Sequence, residues 1–289
     1  MIGGYFHVKR IGRGGFGEVW QAIKLADGAA VAIKYLANAT KDALTRFHRE
    51  TLILYKTIKS PYIVQIKECN LQSNPPYIIM EYCEFGSLHS WVKDRKPWRD
   101  VASALLHAAH GVTAIHELKG FHRDIKPDNL LLKSNGQDGL VIKVGDLGLA
   151  RLPSDGHPMS TTAAGTEGYI APELLIGKPM SQACDIYSLG ITGIEFLTGT
   201  KSADELDKSD CPPSLKDLLR SMVEHRPEVR PSIVAVVGAL ENVLREPPMP
   251  VKVAAPAESS ESSDILAPLL LAGLLVGGLI LFAAADNKR

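Results

Sequence analysis

Apolar and polar residues alternate along the first part of the chain. From about Tyr5 to Leu36 this alternation surrounds a glycine cluster and predicts a strand, a turn and two further strands. Thr40 to Thr57 carries a single apolar stripe and predicts a helix. A turn at Asn74-Pro75-Pro76 precedes a short apolar run, Tyr77 to Met80, which predicts a buried strand. We therefore expect this part to be rich in β-structure.

Helical spacing dominates after Gly86. Between Val101 and Leu118 the apolar residues recur on one helical face, and Asn135-Gly136 and Asp138-Gly139 predict tight turns between short strands. From Gln182 almost to Arg245 the pattern is helical, with breaks at glycine and proline. Because strands come first and helices follow, the predicted fold class is α+β in two lobes, about 1–84 and about 85–245.

The last forty residues differ from the rest of the chain. Residues 246–264 are rich in Pro, Ala, Ser and Glu, which predicts a flexible linker. Residues 265–285 contain no charged side chain, and at about 1.5 Å each they would span roughly 31 Å, the thickness of a bilayer core. A buried core helix of this length would normally have a polar face. We therefore predict a transmembrane helix over 265–285 and a short tail over 286–289.

Composition excludes several other classes of protein. The formal net charge is zero, so nucleic acid is not an expected partner. The four cysteines form no CxxC pair, which argues against a zinc site or a disulfide framework and favours a reducing compartment. The N-terminus lacks the basic and apolar runs of a signal peptide.

The segment from His122 to Asn129 carries the strongest chemical signal. Phosphoryl transfer needs a carboxylate to orient the attacking hydroxyl, a cation near the moving phosphate and a ligand for magnesium. Asp124, Lys126 and Asn129 supply these three groups within one loop. The structural alternative is a charged loop between two strands.

A second motif, Gly12-Arg13-Gly14-Gly15-Phe16-Gly17, has GxGxxG spacing. Dinucleotide-binding folds share this spacing, but there a helix should follow, whereas Glu18 to Ile23 predicts a strand. A glycine-rich hairpin can bring backbone N–H groups close to a triphosphate, with Val19 over the adenine. A plain tight hairpin remains the alternative.

Lys34 ends the apolar strand Val31-Ala32-Ile33-Lys34. A buried ammonium needs a countercharge, and Glu50 on the predicted helix could supply it, with Asp42 as a weaker alternative. The Lys34–Glu50 pair would hold the α- and β-phosphates. Glu50 could instead be a solvated helix residue.

In order and spacing these motifs resemble a eukaryotic-type (Hanks-type) serine/threonine protein kinase, over about Tyr5 to Arg245. The resemblance implies a two-lobed kinase domain over 1–245, Asp124 and Lys126 as catalytic residues with the Lys34–Glu50 pair, and Mg²⁺, or alternatively Mn²⁺, on Asn129 and Asp146. Leu147 replaces the usual Phe in a packing role. The implied ATP site comprises Ile11, Gly12, Gly14, Gly15, Phe16, Gly17, Val19, Ala32, Lys34, Glu81 and Cys83.

The same resemblance assigns roles in the following segment, Gly165 to Glu173. Thr166 is expected to hydrogen-bond the catalytic Asp and Lys, a trait of serine/threonine kinases. Two structural roles are also implied, an ion pair between Glu173 and Arg230 and anchoring of the catalytic-loop backbone by Asp185. The region from Lys201 to Pro213 is too short for the helix and loops usual in the family, which puts substrate recruitment in doubt.

Two regulatory hypotheses follow. Arg123 precedes the catalytic Asp and could bind a phosphate on the activation segment. The candidate autophosphorylation sites are Ser160, Thr161 and Thr162, with the threonines preferred; ordinary loop hydroxyls are the alternative. Gly273 and Gly277 form a GxxxG pair that could bring two membrane helices together as a homodimer, although glycine is common in such helices.

The function expected from the sequence is phosphoryl transfer from ATP to protein serine and threonine. The kinase domain should face cytoplasmic ATP, with residues 265–285 as a C-terminal, single-pass anchor in membrane lipid, an arrangement similar to that of bacterial membrane kinases. A eukaryotic tail-anchored protein is the alternative source. A pseudokinase acting as a membrane scaffold is the second hypothesis. Against it argue the retained residues Lys34, Glu50, Asp124, Asn129 and Asp146. A small-molecule phosphotransferase is the third; Thr166 and the Ala171-Pro172-Glu173 segment favour a protein substrate.

Overall fold

The computed structural model describes residues 2–14, 17–36, 59–136, 139–147 and 165–247. All of them belong to the compact unit Met1–Met249, and the second unit, Pro250–Arg289, lies outside the described residues. The predicted helix over 40–57, the linker, the membrane helix and the tail therefore stay predictions. Within the described ranges, no helix has the length and apolarity needed to cross a membrane.

The first lobe is an antiparallel five-stranded sheet with the strand order β1-β2-β3-β5-β4. The three strands expected from the alternation are present, and so is the strand expected near Tyr77. The strands are β1 Tyr5–Gly14, β2 Gly17–Lys24, β3 Ala30–Leu36, β4 Ile66–Asn70 and β5 Tyr77–Glu81.

The register of this sheet decides which side chains face the second lobe. Val19 lies opposite Lys34, and Ala32 lies opposite Met80, so these four side chains share one face. The opposite face is buried in its own apolar cluster, which includes Ile33. The sheet thus presents a mixed apolar and cationic surface where a cleft forms.

The second lobe is helical apart from one β-hairpin, as the α+β prediction requires. Its hairpin consists of β6 Leu130–Ser134 and β7 Leu140–Val144. Its helices are α1 Trp91–Asp94, α2 Trp98–Glu117, α3 Pro172–Leu175, α4 Ala183–Thr198, α5 Pro213–Met222 and α6 Ile233–Arg245. The breaks expected at glycine and proline separate α4, α5 and α6.

Helix α4 runs through the centre of the helical core. A Cβ atom on Gly193 would lie 2.6 Å from Leu219 of α5 and 2.8 Å from Leu105 of α2, so only glycine allows the three helices to approach this closely. Gly199 ends α4 with φ of 75°, in the left-handed region that glycine tolerates. The chain then forms one short 3₁₀ helix, Ala203–Lys208, before α5 begins.

Candidate active site

The loop that follows α2 is anchored from the helical core. The backbone N–H groups of His122 and Arg123 each donate a hydrogen bond of 2.9 Å to the carboxylate of Asp185, in the first turn of α4. His116 Nε2 lies 2.9 Å from the same carboxylate. Burial by itself raises the pKa of Asp185, but the hydrogen bond with His116 and the backbone N–H groups outweigh it and lower the pKa. The expected anchoring by Asp185 is confirmed.

This anchoring supports an unfavourable backbone conformation. Arg123 has a φ of 74°, which is rare for a residue with a Cβ atom and costs of order 1–3 kcal/mol. Asp146 has a φ of 51°. His122 links the two places, because its Nδ1 accepts from the N–H of Asp124 at 3.2 Å and its Nε2 donates to the carbonyl of Gly145 at 2.9 Å. These two contacts also define which imidazole nitrogen carries the proton.

Asp124 is the centre of a hydrogen-bonded cluster. Its Oδ2 accepts from Lys126 Nζ at 2.8 Å and from Asn129 Nδ2 at 2.9 Å, and its Oδ1 accepts from Thr166 Oγ1 at 2.8 Å. Lys126 also donates to the Thr166 hydroxyl. The expected contacts of Thr166 with the catalytic Asp and Lys are therefore present. The cluster fixes a carboxylate next to a cation at the edge of a cleft.

The cleft lies between the sheet and the helical lobe and encloses about 560 Å³. This volume falls in the range of small-molecule and cofactor sites. Seven residues predicted for ATP binding line it: Ile11, Gly12, Val19, Ala32, Lys34, Glu81 and Cys83. Gly14 and Gly17 pair with each other at the end of the β1–β2 hairpin, and Gly15 and Phe16 lie outside the described residues.

The charged end of the cleft contains Lys34 and Asp146. Lys34 Nζ lies 2.6 Å from Asp146 Oδ1, a contact that was not predicted from the sequence. Glu50, the predicted partner of Lys34, is outside the described residues, so the Lys34–Glu50 pair stays a prediction. The observed contact shows that β3 and the segment after β7 bring a cation and a carboxylate together.

Asn129 and Asp146 offer oxygen ligands at this end of the cleft. Because Asn129 Nδ2 donates both to the backbone carbonyl of Asp124 at 2.7 Å and to its carboxylate, the amide oxygen is directed elsewhere. Amide and carboxylate oxygens suit Mg²⁺, which commonly takes one or two protein ligands together with phosphate oxygens and water. The described residues contain no cluster of three or more His, Cys, Asp or Glu side chains able to hold a metal without such help.

Five apolar residues that line the cleft were not predicted from the sequence: Ile66, Ile78, Met80, Phe85 and Leu131. Of these, Leu131 lies on β6 and Met80 on β5. Leu131 lies two residues after Asn129, so the strand alternation after the catalytic loop could have indicated it.

The strand that borders the cleft, β5, is tied to β7 by an unpredicted ion pair. Glu81 follows Met80, so its carboxylate points to the other face of β5, where Lys143 Nζ lies 2.8 Å away and the N–H of Gln65 donates at 2.8 Å. Glu81 therefore reaches the cleft through its main chain. Nearby, burial raises the pKa of the Cys83 thiol to about 12, so this thiol is protonated at neutral pH.

A buried ion pair holds the segment that carries Thr166. Arg230 donates to both carboxylate oxygens of Glu173 at 2.7 Å, and neither side chain is more than 2% exposed. Burial raises the pKa of Glu173, but the bidentate contact with Arg230 outweighs it and lowers the pKa. The predicted Glu173–Arg230 pair is confirmed. Ser160, Thr161 and Thr162 lie outside the described residues, so their modification and the phosphate-binding role of Arg123 stay predictions.

Comparison with known proteins gives one consistent family. The protein kinase domain matches residues 5–240. Serine/threonine-protein kinase PknK of Mycobacterium tuberculosis is 30% identical over 281 residues, which cover 86% of this chain and 25% of that protein. Serine/threonine-protein kinase Pkn1 of Myxococcus xanthus is 33% identical, covering 84% of this chain and 35% of that protein. Serine/threonine-protein kinase Nek4 of Mus musculus is 31% identical, covering 84% and 32%. This chain thus spans a quarter to about a third of these relatives.

Proposed function

Because this chain belongs to the protein kinase family, we propose that it transfers the γ-phosphoryl group of ATP to serine and threonine hydroxyls of protein substrates. The hydrogen-bonded cluster of Asp124, Lys126 and Thr166, beside a cleft of nucleotide size, is the observation that carries the proposal. A protein that only scaffolds others has no use for this arrangement.

The chemistry follows from the positions of these groups. Asp124 accepts the hydrogen bond of the substrate hydroxyl and takes its proton as the new O–P bond forms. The bond between the γ-phosphorus and the bridging oxygen breaks, and ADP leaves. Lys126 contributes positive charge beside the transferred group, and Thr166 keeps the Asp124 carboxylate in place. When bound at Asn129 and Asp146, Mg²⁺ would supply positive charge to the phosphate oxygens.

The proposal is tested with the full-length chain in mild detergent, labelled ATP, Mg²⁺ and a generic protein substrate. We expect incorporation into Ser and Thr that falls at least about a hundredfold in Asp124→Asn and Asp146→Ala. Asp217→Asn, an exposed carboxylate with 78% side-chain exposure, is the matched control and should keep full activity. A wild-type chain that binds ATP but labels no protein would instead favour the pseudokinase scaffold.

We also propose that residues 265–285 anchor the protein in a membrane, with the kinase domain in the cytoplasm. The uncharged length of this segment supports the proposal. In membrane fractions washed at high pH, the full-length chain should stay with the lipid, and a chain ending at Arg245 should be released. Release of the full-length chain would contradict the anchor.

Autophosphorylation of Ser160, Thr161 or Thr162 is proposed for the same enzyme, because Arg123 directly precedes Asp124 and could bind the resulting phosphate. Mass spectrometry of the active chain after incubation with ATP and Mg²⁺ should find phosphate in this segment. The Asp124→Asn variant should lack it. An active enzyme without phosphate there would rule the proposal out.

The remaining proposal is a homodimer through the membrane helix. Gly273 and Gly277 have GxxxG spacing, which would place both on one face of a membrane helix, where small residues allow close packing in lipid. Replacing both by Ile should shift the monomer–dimer balance in bilayers toward monomer. An unchanged balance would count against the dimer.

A further inference from the structure

Lys201 lies against residues 167–169, the part of the chain that directly follows Thr166. Its Nζ atom is 3.9 Å from the centre of the Tyr169 ring and 3.4 Å from the carbonyl oxygen of Glu167. A Cβ atom on Gly168 would be 2.8 Å from this Nζ atom, and Gly168 has a φ of 85°. Glycine at 168 therefore makes the space in which the Lys201 side chain lies.

Neither contact of this ammonium group is with an anion. The carbonyl oxygen of Glu167 is at 3.4 Å, which is long for a hydrogen bond, and the Tyr169 ring beneath the ammonium group is buried and uncharged. Within the described part of the chain, Lys201 forms no ion pair with a carboxylate. The Tyr169 hydroxyl is already engaged with Glu195. A cation is thus held in a defined position with the capacity to bind an anion.

The position of Lys201 relates directly to the acceptor hydroxyl. Thr166 hydrogen-bonds Asp124, which would bind that hydroxyl, and Gly168 is two residues farther along the chain. An extended peptide advances about 3.3 Å per residue. A substrate that lies along the Gly165 to Tyr169 segment would therefore bring a side chain one to three residues from the acceptor near Lys201.

We propose that Lys201 is a specificity-determining residue that binds an acidic side chain, either carboxylate or phosphate, one to three residues from the acceptor. This inference rests on the proposed kinase function. Asp124, Asp128 and Glu195 are all close enough to act electrostatically on Tyr169, so an acidic substrate residue would be repelled here without a local cation. Lys201 supplies that cation.

The test compares kcat/KM for matched peptides. A peptide with alanines around one serine is the reference, and Glu, phosphoserine or Lys is placed at each of the three positions on either side. We expect at least one position where the Glu peptide exceeds the Lys peptide by about three- to tenfold, as one partly exposed charge pair allows. The phosphoserine arm distinguishes a preference for phosphate from one for carboxylate.

Variants then separate specificity from structure. Lys201→Glu should invert the Glu-to-Lys ratio at that position, Lys201→Met should bring it near one, and Lys201→Arg should retain it. Lys208→Glu, an exposed lysine on the adjacent 3₁₀ helix, should leave the ratio as in the wild type. The ratio is internally normalised, so partial misfolding of a variant does not change it.

Three outcomes overturn the inference. A wild-type enzyme without preference between the Glu and Lys peptides overturns it while leaving the kinase function intact. So does a fall in Lys201→Glu that is equal for all peptides, which would mark a structural role. A wild-type chain inactive on every peptide and protein overturns the kinase function and this inference together.

Discussion

Removing the Lys143 ammonium should destabilise the fold and weaken ATP binding at the same time. Lys143 and Glu81 lie 2.8 Å apart with side-chain exposures of only 8% and 13%, so solvent screens the pair very little. Lys143→Met keeps most of the apolar volume but leaves the carboxylate of Glu81 with the N–H of Gln65 as its one remaining partner that the structure records. Leaving one buried charge uncompensated typically costs about 3–5 kcal/mol.

We expect a loss of about 3 kcal/mol in the free energy of unfolding, because the hydrogen bond from Gln65 remains. For a domain of this size the melting temperature should fall by about 6–12 °C. The KM for ATP should rise, because the main chain of Glu81 borders the cleft. Urea titration, thermal melting and the KM for ATP are the measurements.

A control variant and a double variant show whether the loss of stability comes from the uncompensated Glu81 charge. Lys208→Met breaks an exposed ion pair with Glu205, at 74% exposure of the lysine, and should change the unfolding free energy by at most about 0.5 kcal/mol. The double variant Lys143→Met with Glu81→Leu removes both charges and should recover most of the lost stability. A Lys143→Met chain as stable as the Lys208→Met control would refute the reasoning.

Three other predictions concern the helical lobe. Arg230→Met should cost about 3–5 kcal/mol in urea titration because Glu173 stays buried without its bidentate partner, whereas the exposed Arg226→Met should be nearly neutral. Gly193→Ala should cost about 1–3 kcal/mol, since the added methyl group meets side chains of two helices, and a wild-type melting temperature would contradict this. The pKa of Asp185 is lowered in the folded state, so the ionised carboxylate stabilises the fold above the unfolded-state pKa, near 4. This contribution to the free energy of unfolding is lost as the pH falls through the folded-state pKa. The decline of stability with falling pH should therefore be shallower in Asp185→Asn.

The hydrophobic periodicity of the sequence predicted the helices and strands that bury one continuous apolar face. Helix α2 and strands β1 to β3 follow it closely, because each packs an apolar side against the core. Strand β4 was missed because it is a short strand at the edge of the sheet. Its residues, Ile66-Lys67-Glu68-Cys69-Asn70, are mostly exposed and lack the alternation of a half-buried strand.

The candidate site was predictable to the extent that its residues are close in sequence. Asp124, Lys126 and Asn129 occupy one loop, and their spacing alone indicates joint chemistry. The contact of Thr166 with this loop could be expected only from the family resemblance, because nothing in local pattern joins distant segments. No feature of the sequence indicated the Glu81–Lys143 ion pair, because many other acidic and basic residues could have paired equally well.

The two halves of the site are supported by different parts of the fold. Asp124 and Thr166 both belong to the helical lobe, where Asp185 holds the loop and Arg230 holds the facing segment through Glu173. Lys34 belongs to the sheet and reaches Asp146 across the cleft. A movement of the sheet relative to the helices would therefore change the Lys34–Asp146 distance and leave the Asp124–Thr166 contact intact. Any control exerted through lobe motion should consequently act on the nucleotide side of the reaction, while the group that receives the substrate hydroxyl stays in place.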